Sequence, residues 1–188
     1  MVRRVAATEL VLIRHAESSW NAEGRWQGQE DPPLSPRGRL QAEALAEALR
    51  GTGVLRIATS DLLRARDTAV PIARALGLEP VPDPRLRELD VGRWGGRTRA
   101  EIEQSEPDLL ARFDRGDRNA RAGGGESLAL LRARARAALR ELCESAPGGR
   151  LALVTHLGWL RAVCPGADFA HAEWRIARSE ALLDGDWS

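Results

Sequence analysis

The 188-residue sequence has no lysine, no tyrosine, one methionine and two cysteines. Each scarcity excludes something. Cys143 and Cys164 are too few for a disulfide framework, so a reducing, cytoplasmic setting is expected. The 28 basic residues are all arginine, and 27 acidic residues nearly cancel them to a formal +1. That balance argues against a general binder of nucleic acid or of membrane surfaces, which needs a net basic face. No run approaches the ~18–20 apolar residues of a spanning helix. The opening stretch, residues 1–13, is basic and then apolar. It leads into Arg14 and His15 rather than a small-residue cleavage site, so it is not read as a signal peptide. No His-Glu-x-x-His motif or Asp/His cluster points to a metal, and no cofactor is expected. Internal repeats, linkers and low-complexity segments are absent, and the length suits one domain spanning 1–188.

What is present is an alternation of strand-like and helix-like segments. Residues 9–13 (ELVLI), 54–59 (VLRIAT) and 150–155 (RLALVT) read as buried strands. Residues 16–34 read as a long loop. Ser35-Pro36 looks like an N-cap with proline at the first helical position, opening a helix that Gly51 closes. A helix from Leu62 to about Leu76 is expected to be interrupted or kinked near Pro71 and to stop at Gly77. Residues 79–98 hold three prolines and several glycines and read as mostly loop, and 99–118 as one or two weak helices. Residues 121–127 (RAGGGES) read as a flexible approach to a helix from Ser127 to Cys143. Leu128, Leu131, Ala135, Ala138 and Leu142 would form its inner face. Pro147-Gly148-Gly149 and Asp184-Gly185 read as turns. The alternation predicts an α/β fold, a three-layer sandwich with a mostly parallel central sheet flanked by helices.

Two of the strands end in histidine, His15 and His156. In open α/β sheets ligands bind outside the carboxyl ends of the strands, so both imidazoles would face one crevice if their strands are neighbours. Arg14 precedes the first histidine, and Arg64 follows another strand end at Thr59-Ser60. Converging cations are unfavourable unless an anion fills the space between them. Phosphate suits, because arginine offers planar bidentate bonds to its oxygens.

With these residues in view, the sequence resembles the histidine phosphatase superfamily, also called phosphoglycerate-mutase-like. The family's Arg-His-Gly signature corresponds to Arg14-His15-Ala16. Its following block corresponds to Trp20-Asn21, Gln27-Gly28 and Pro33-Leu34-Ser35. Ser60 through Ala69 matches its Ser-x-Leu-x-Arg-Ala-x-x-Thr-Ala block. Further matches are Leu86, Glu88, Gly92 and Trp94, then Gly124 to Ser127, then Val154-Thr155-His156. Six blocks in family order span roughly residues 9–165. The resemblance implies that His15 is a nucleophile forming a phosphohistidine. Arg14, Arg64 and His156 would hold the phosphoryl oxygens, and Glu88 would be the acid and then the base. Asn21 and Gln27 match positions that contact phosphate or substrate.

Two positions depart from the pattern: Ala16 replaces the glycine after the first histidine, and Leu157 replaces the one after the second, with Gly158 next. Leu157 is expected to narrow the pocket or to reorient the backbone there. Trp20, Trp26 and Trp94 are candidates for a wall against the organic part of the substrate. His171, in a polar late segment, is expected to be exposed, and Cys143 to be a core residue. Residues 182–188 (LLDGDWS) mimic the Asp-x-Asp of aspartate-nucleophile phosphatases but lie at the wrong end of the chain.

The leading expectation is a metal-independent phosphomonoesterase acting on a small phosphorylated metabolite. Sugar phosphates, phosphoglycerates and α-ribazole phosphate are candidate substrates, and residues 95–123 would be a substrate-capping segment carrying specificity. A phosphoglycerate mutase using the same phosphohistidine is the alternative, disfavoured because family mutases carry longer inserted segments. A third reading is a non-catalytic phosphate-ligand-binding protein, which would have no need for Glu88. The sequence leaves the oligomeric state open, a homodimer included.

Overall fold

The computed structural model describes residues 8–146 and 148–183. Pro147 of one expected turn, the Asp184-Gly185 turn, Trp187 and residues 1–7 lie outside them. Five strands form one sheet: β1 (Glu9–Arg14), β2 (Val54–Thr59), β3 (Pro80–Pro82), β4 (Arg150–Thr155) and β5 (Trp174–Arg178). Their order is β3-β2-β4-β1-β5. All pairings are parallel except that of β5, which runs antiparallel along the outer edge of β1.

The central strands are apolar where both of their faces are covered; β2 departs from this near its start, where Leu55 and Arg56 are exposed. Leu10, Leu12, Leu151 and Leu153 enter the core beneath α6 (Leu128–Glu144) and α7 (Leu157–Val163). Val11, Ile13, Ala152 and Val154 enter the opposite core, beneath α2 (Pro36–Ala48) and α3 (Leu63–Leu76). This is the three-layer arrangement that the alternation predicts. The remaining helices are the single turn α1 (Ser19–Ala22), α4 (Arg99–Ser105), α5 (Pro107–Asp114) and α8 (Ser179–Leu183).

Local signals account for the helix ends. The Ser35 hydroxyl accepts the Gly38 N–H at 2.9 Å with Pro36 in the first turn, and the Ser127 hydroxyl accepts that of Leu130. Leu131, Ala135 and Ala138 are buried on α6 as expected, joined by Leu139 and Cys143, while Leu128 and Leu142 are only partly covered. Cys143 is a core residue.

The structure corrects several expectations. Helix α3 is not interrupted at Pro71, which is buried within it. Packing of α3 against α2 and the sheet outweighs the one backbone bond that proline removes. The 79–98 stretch contains strand β3, whose prolines are tolerated because it is an edge. The 16–34 loop contains α1, and β5 is an additional strand.

The expected flexibility of residues 121–127 is also overturned. Gly123, at φ 53°, is buried, and a Cβ there would stand 2.2 Å from the Val91 carbonyl oxygen and 2.7 Å from the Trp94 nitrogen. The glycines let this stretch pack backbone to backbone against residues 90–94. Gly123→Ala should therefore lower unfolding free energy by at least about 2 kcal/mol, from the left-handed backbone and the clash together. Urea denaturation checks this; an unchanged midpoint would show that the segment is loose.

Candidate active site

The parallel pairing of β1 with β4 sets Arg14 opposite Thr155, so the next residue of each strand is a histidine. The His15 N–H donates to the Thr155 carbonyl at 2.9 Å, which carries the pairing one step beyond the strands. The two imidazole centroids lie 5.0 Å apart. On the other side of β4 the Ser60 N–H donates to the Val154 carbonyl, bringing the start of α3 and Arg64 to the same end of the sheet. His15, Arg64 and His156 are 3 %, 1 % and 0 % exposed. A cavity of about 410 Å³ opens there, lined by Arg14, His15, Asn21, Gln27, Arg64, Glu88 and Leu157, with His156 buried beside His15. Sequence reasoning thus named residues that the fold brings together.

The hydrogen bonds of each group define what it can still do. His15 Nδ1 lies 2.7 Å from the Ala16 carbonyl oxygen. A carbonyl only accepts, so Nδ1 carries the hydrogen and Nε2 keeps its lone pair. Arg64 spends its terminal nitrogens on the carbonyls of Glu30 and Gly28, both at 2.8 Å. Arg14 donates to the Phe169 carbonyl at 2.6 Å and reaches His171 Nε2 at 2.9 Å. Arg14 Nε, Arg64 Nε and both ring nitrogens of His156 are buried and have no hydrogen-bond partner among the described residues. Buried polar groups are ordinarily satisfied, so these nitrogens, of which both guanidinium Nε–H groups and the one N–H of the neutral His156 ring can donate, mark a place suited to a ligand rich in acceptors. Asn21 and Gln27 both bond through their carbonyl oxygens to Ser18, leaving their –NH2 ends as donors to a ligand.

Burial and the neighbouring Arg64 hold both His15 and His156 well below the usual imidazole range. Burial pushes Arg64 down to about 10, partly opposed by Glu88, and it remains charged near neutrality. Burial also lowers Arg14, again opposed chiefly by Glu88. Two neutral imidazoles between two guanidinium ions form a site that favours a polyanion over a cation or neutral ligand.

Glu88 is fixed from both sides. Its Oε1 accepts the Leu89 N–H at 2.8 Å and its Oε2 the Gly158 N–H at 3.1 Å. A Cβ on Gly158 would lie 2.2 Å from Glu88 Oε1, so the glycine here makes room for the carboxylate. The chain behind Glu88 is held by Arg134, which donates to the carbonyls of Arg85 and Arg87 at 2.8 and 2.9 Å and pairs with Glu126 at 2.8 Å. Arg134, unnoticed in the sequence, hides among the arginines of α6.

The departures from the family pattern are accommodated. Ala16 packs against Leu34 and Ala42, and its N–H donates to Thr68 Oγ1 at 3.0 Å. Leu157 lines the cavity, and the N–H that meets Glu88 belongs to Gly158. Of the three tryptophans, only Trp26 lines the cavity. Trp94 is fully buried behind it, and Trp26, Trp94 and Phe113 stack edge to face with centroids 5.3 to 5.8 Å apart. Phe113, Arg25 and Arg161 also line the cavity and were not foreseen. His171, expected to be exposed, is instead partly buried, with its ring 6.0 Å from His15. Burial and Arg14 push it down to about 4.

A profile of the histidine phosphatase superfamily, branch 1, matches residues 10–177. The chain belongs to this superfamily. It is 40% identical over 171 residues to a probable phosphoglycerate mutase GpmB of Yersinia enterocolitica, covering 89% of this chain and 79% of that one. A mycobacterial glucosyl-3-phosphoglycerate phosphatase, solved with VO3, is 36% identical with a TM-score of 0.81, covering 89% and 91% of the two chains. YhfR of Bacillus stearothermophilus is 29% identical with a TM-score of 0.84, covering 90% of each. Members of the superfamily are phosphatases or mutase-like enzymes. Among the described residues no helix is long and apolar enough to cross a membrane.

The three histidines make stability depend on pH in a fixed direction. Each has a native pKa below its unfolded value, so below about 6.5 the unfolded chain binds protons that the native one does not. Stability is full above that pH and falls as pH drops, by up to about 1.4 kcal/mol per pH unit for each buried imidazole. The melting temperature of the ligand-free protein should therefore fall from pH 7 to pH 5; a flat or rising trend would mean that the imidazoles are charged in the fold.

Proposed function

We propose that this chain is a phosphomonoesterase that hydrolyses a small phosphorylated metabolite through a phosphohistidine on His15. The observation that carries the reading is the set of buried, unpartnered nitrogens on Arg14, Arg64 and His156 beside an imidazole whose Nε2 lone pair is free. Nε2 attacks phosphorus as the bond to the leaving oxygen breaks. Arg14, Arg64 and His156 donate to the phosphoryl oxygens, in the role a metal ion plays in other phosphatases. Because these groups are fixed by Phe169, Gly28, Glu30 and the sheet, little reorganisation accompanies the reaction. Glu88, at the cavity wall, takes the proton that the phosphate monoester carries and passes it to the leaving oxygen. It then takes one from the water that attacks the phosphohistidine and hands it to the departing phosphate, which regenerates both His15 and the Glu88 carboxylate.

The cavity wall beyond the cations is apolar, formed by Trp26, Leu89, Val91, Phe113 and Leu157, with Arg25 and Arg161 also present. Phe113 belongs to the 95–123 segment, which we assign as the cap over the organic part of the substrate. Asn21 and Gln27 supply further donors.

A mutase is the second reading, favoured by the name of the 40% identical relatives. Incubation with 3-phosphoglycerate and a trace of 2,3-bisphosphoglycerate separates the two. Hydrolysis predicts free phosphate in excess of 2-phosphoglycerate; the reverse supports the mutase. A phosphate-binding protein without turnover would release neither from a broad panel of phosphate esters.

The role of Glu88 has its own test. Glu88→Gln should slow hydrolysis of alkyl phosphates by about 10²-fold or more, the usual scale of general-acid help. p-Nitrophenyl phosphate, whose leaving group needs little protonation, should slow far less. Equal slowing of both would make Glu88 a group that positions rather than protonates.

A further inference from the structure

The five residues before β5, 169–173, make four hydrogen bonds with the Arg14–His15 pair. The Phe169 carbonyl accepts from Arg14 Nη1 at 2.6 Å, and His171 Nε2 lies 2.9 Å from Arg14 Nη2. The Ala172 N–H donates to the His15 carbonyl, and the Glu173 carbonyl accepts the Arg14 N–H at 3.1 Å. Ala172 is held at φ 57°, and among the described residues it is the single non-glycine residue with positive φ. An L-residue in that region costs about 1–2 kcal/mol, so the surrounding contacts must hold it there. The strain sits immediately after His171, where it turns the chain back toward β1.

Chemistry fixes the sense of the His171 contact. A guanidinium has five N–H donors and no acceptor, so His171 Nε2 must present a lone pair. His171 is then neutral, with any hydrogen on Nδ1. A protonated ring would place two cations 2.9 Å apart and lose the bond. With both terminal nitrogens engaged, the Arg14 guanidinium plane is set and its buried Nε is left to the cavity.

We propose that His171 is a positioning residue for the phosphoryl clamp: as a neutral acceptor at Nε2 it locks Arg14 in the orientation that receives the substrate's phosphoryl oxygens. The inference rests on the reading of the cavity as a phosphoryl site. Burial first, then Arg14 and Arg37 against the opposing Glu17, leave His171 at about 4, so its ring is neutral near neutrality; His15 also faces it, with the two rings 6.0 Å apart. The ring itself touches no reacting atom; it acts through Arg14.

The test uses inorganic phosphate as the probe, measured by calorimetry, so it does not depend on turnover. His171→Leu keeps bulk but accepts no hydrogen bond, whereas His171→Gln keeps an acceptor near the Nε2 position. The Leu variant should weaken phosphate binding about tenfold, the scale of a hydrogen bond to a charged group, and raise KM for any ester substrate in parallel. The Gln variant should stay within about threefold of wild type, which a merely space-filling role for the ring would not produce. If the Leu variant does not fold, imidazole 15N shifts of the wild-type protein at pH 6 decide the matter. They should show His171 Nε2 without a proton. Phosphate affinity equal in all three proteins, Gln as poor as Leu, or a proton on Nε2 would each overturn the proposal. Wild-type protein that binds no phosphate at all would instead remove the phosphoryl reading on which it rests.

Discussion

Two guanidinium ions share one buried site with two ionisable imidazoles, and the site is organised around the repulsion that protonating the rings would bring. It is contained by keeping the imidazoles neutral and by placing Glu88 where both Arg14 and Arg64 feel it. The outer nitrogens of the arginines are tied to carbonyl oxygens of Gly28, Glu30 and Phe169. What is left over is a set of buried N–H donors, on Arg14, Arg64 and His156, with no partner among the described residues. Such a set is unfavourable when nothing occupies it and strongly favourable around an oxyanion, which is the preorganisation that phosphoryl transfer needs.

The sheet supplies the geometry. Parallel strands all end on one side, so two strands finishing in histidine deliver both rings to one place only if they are adjacent and in register. The insertion of β4 between β1 and β2 meets both conditions at once, flanking His156 with His15 on one side and with the Ser60–Arg64 segment on the other. The antiparallel strand β5 completes the ring. Because it runs the other way, the residues that precede it arrive at the carboxyl ends of the parallel strands, and so Phe169 and His171 meet Arg14.

This explains what was legible in the sequence. The apolar runs of β1 and β4 announced themselves because burial on both faces leaves no polar alternation to confuse them, and β2 by its buried end, residues 57–59, despite exposed Leu55 and Arg56. His15, His156, Arg64 and Glu88 followed from strand ends and family blocks. β3 was hidden by its own prolines, which an edge position permits, and β5 (WRIAR) by a half-exposed composition rich in arginine. Missing β5 meant misplacing His171, since only the antiparallel return brings that residue to the site. Arg134 was missed for a different reason: in an α6 that carries four arginines, nothing local distinguishes the one facing the Glu88 segment. Glycine was also misleading at residues 123–125, where it serves close packing rather than flexibility.

All of the chemistry assigned here passes through one bond, between phosphorus and the Nε2 atom of His15. Rapid acid-free quenching of the protein turning over a 32P-labelled ester, followed by peptide mapping, tests it most directly. The account predicts label on the His15 peptide that survives base and is lost in acid, and no label in His15→Ala. Label on any other side chain, or full turnover by His15→Ala, would contradict it.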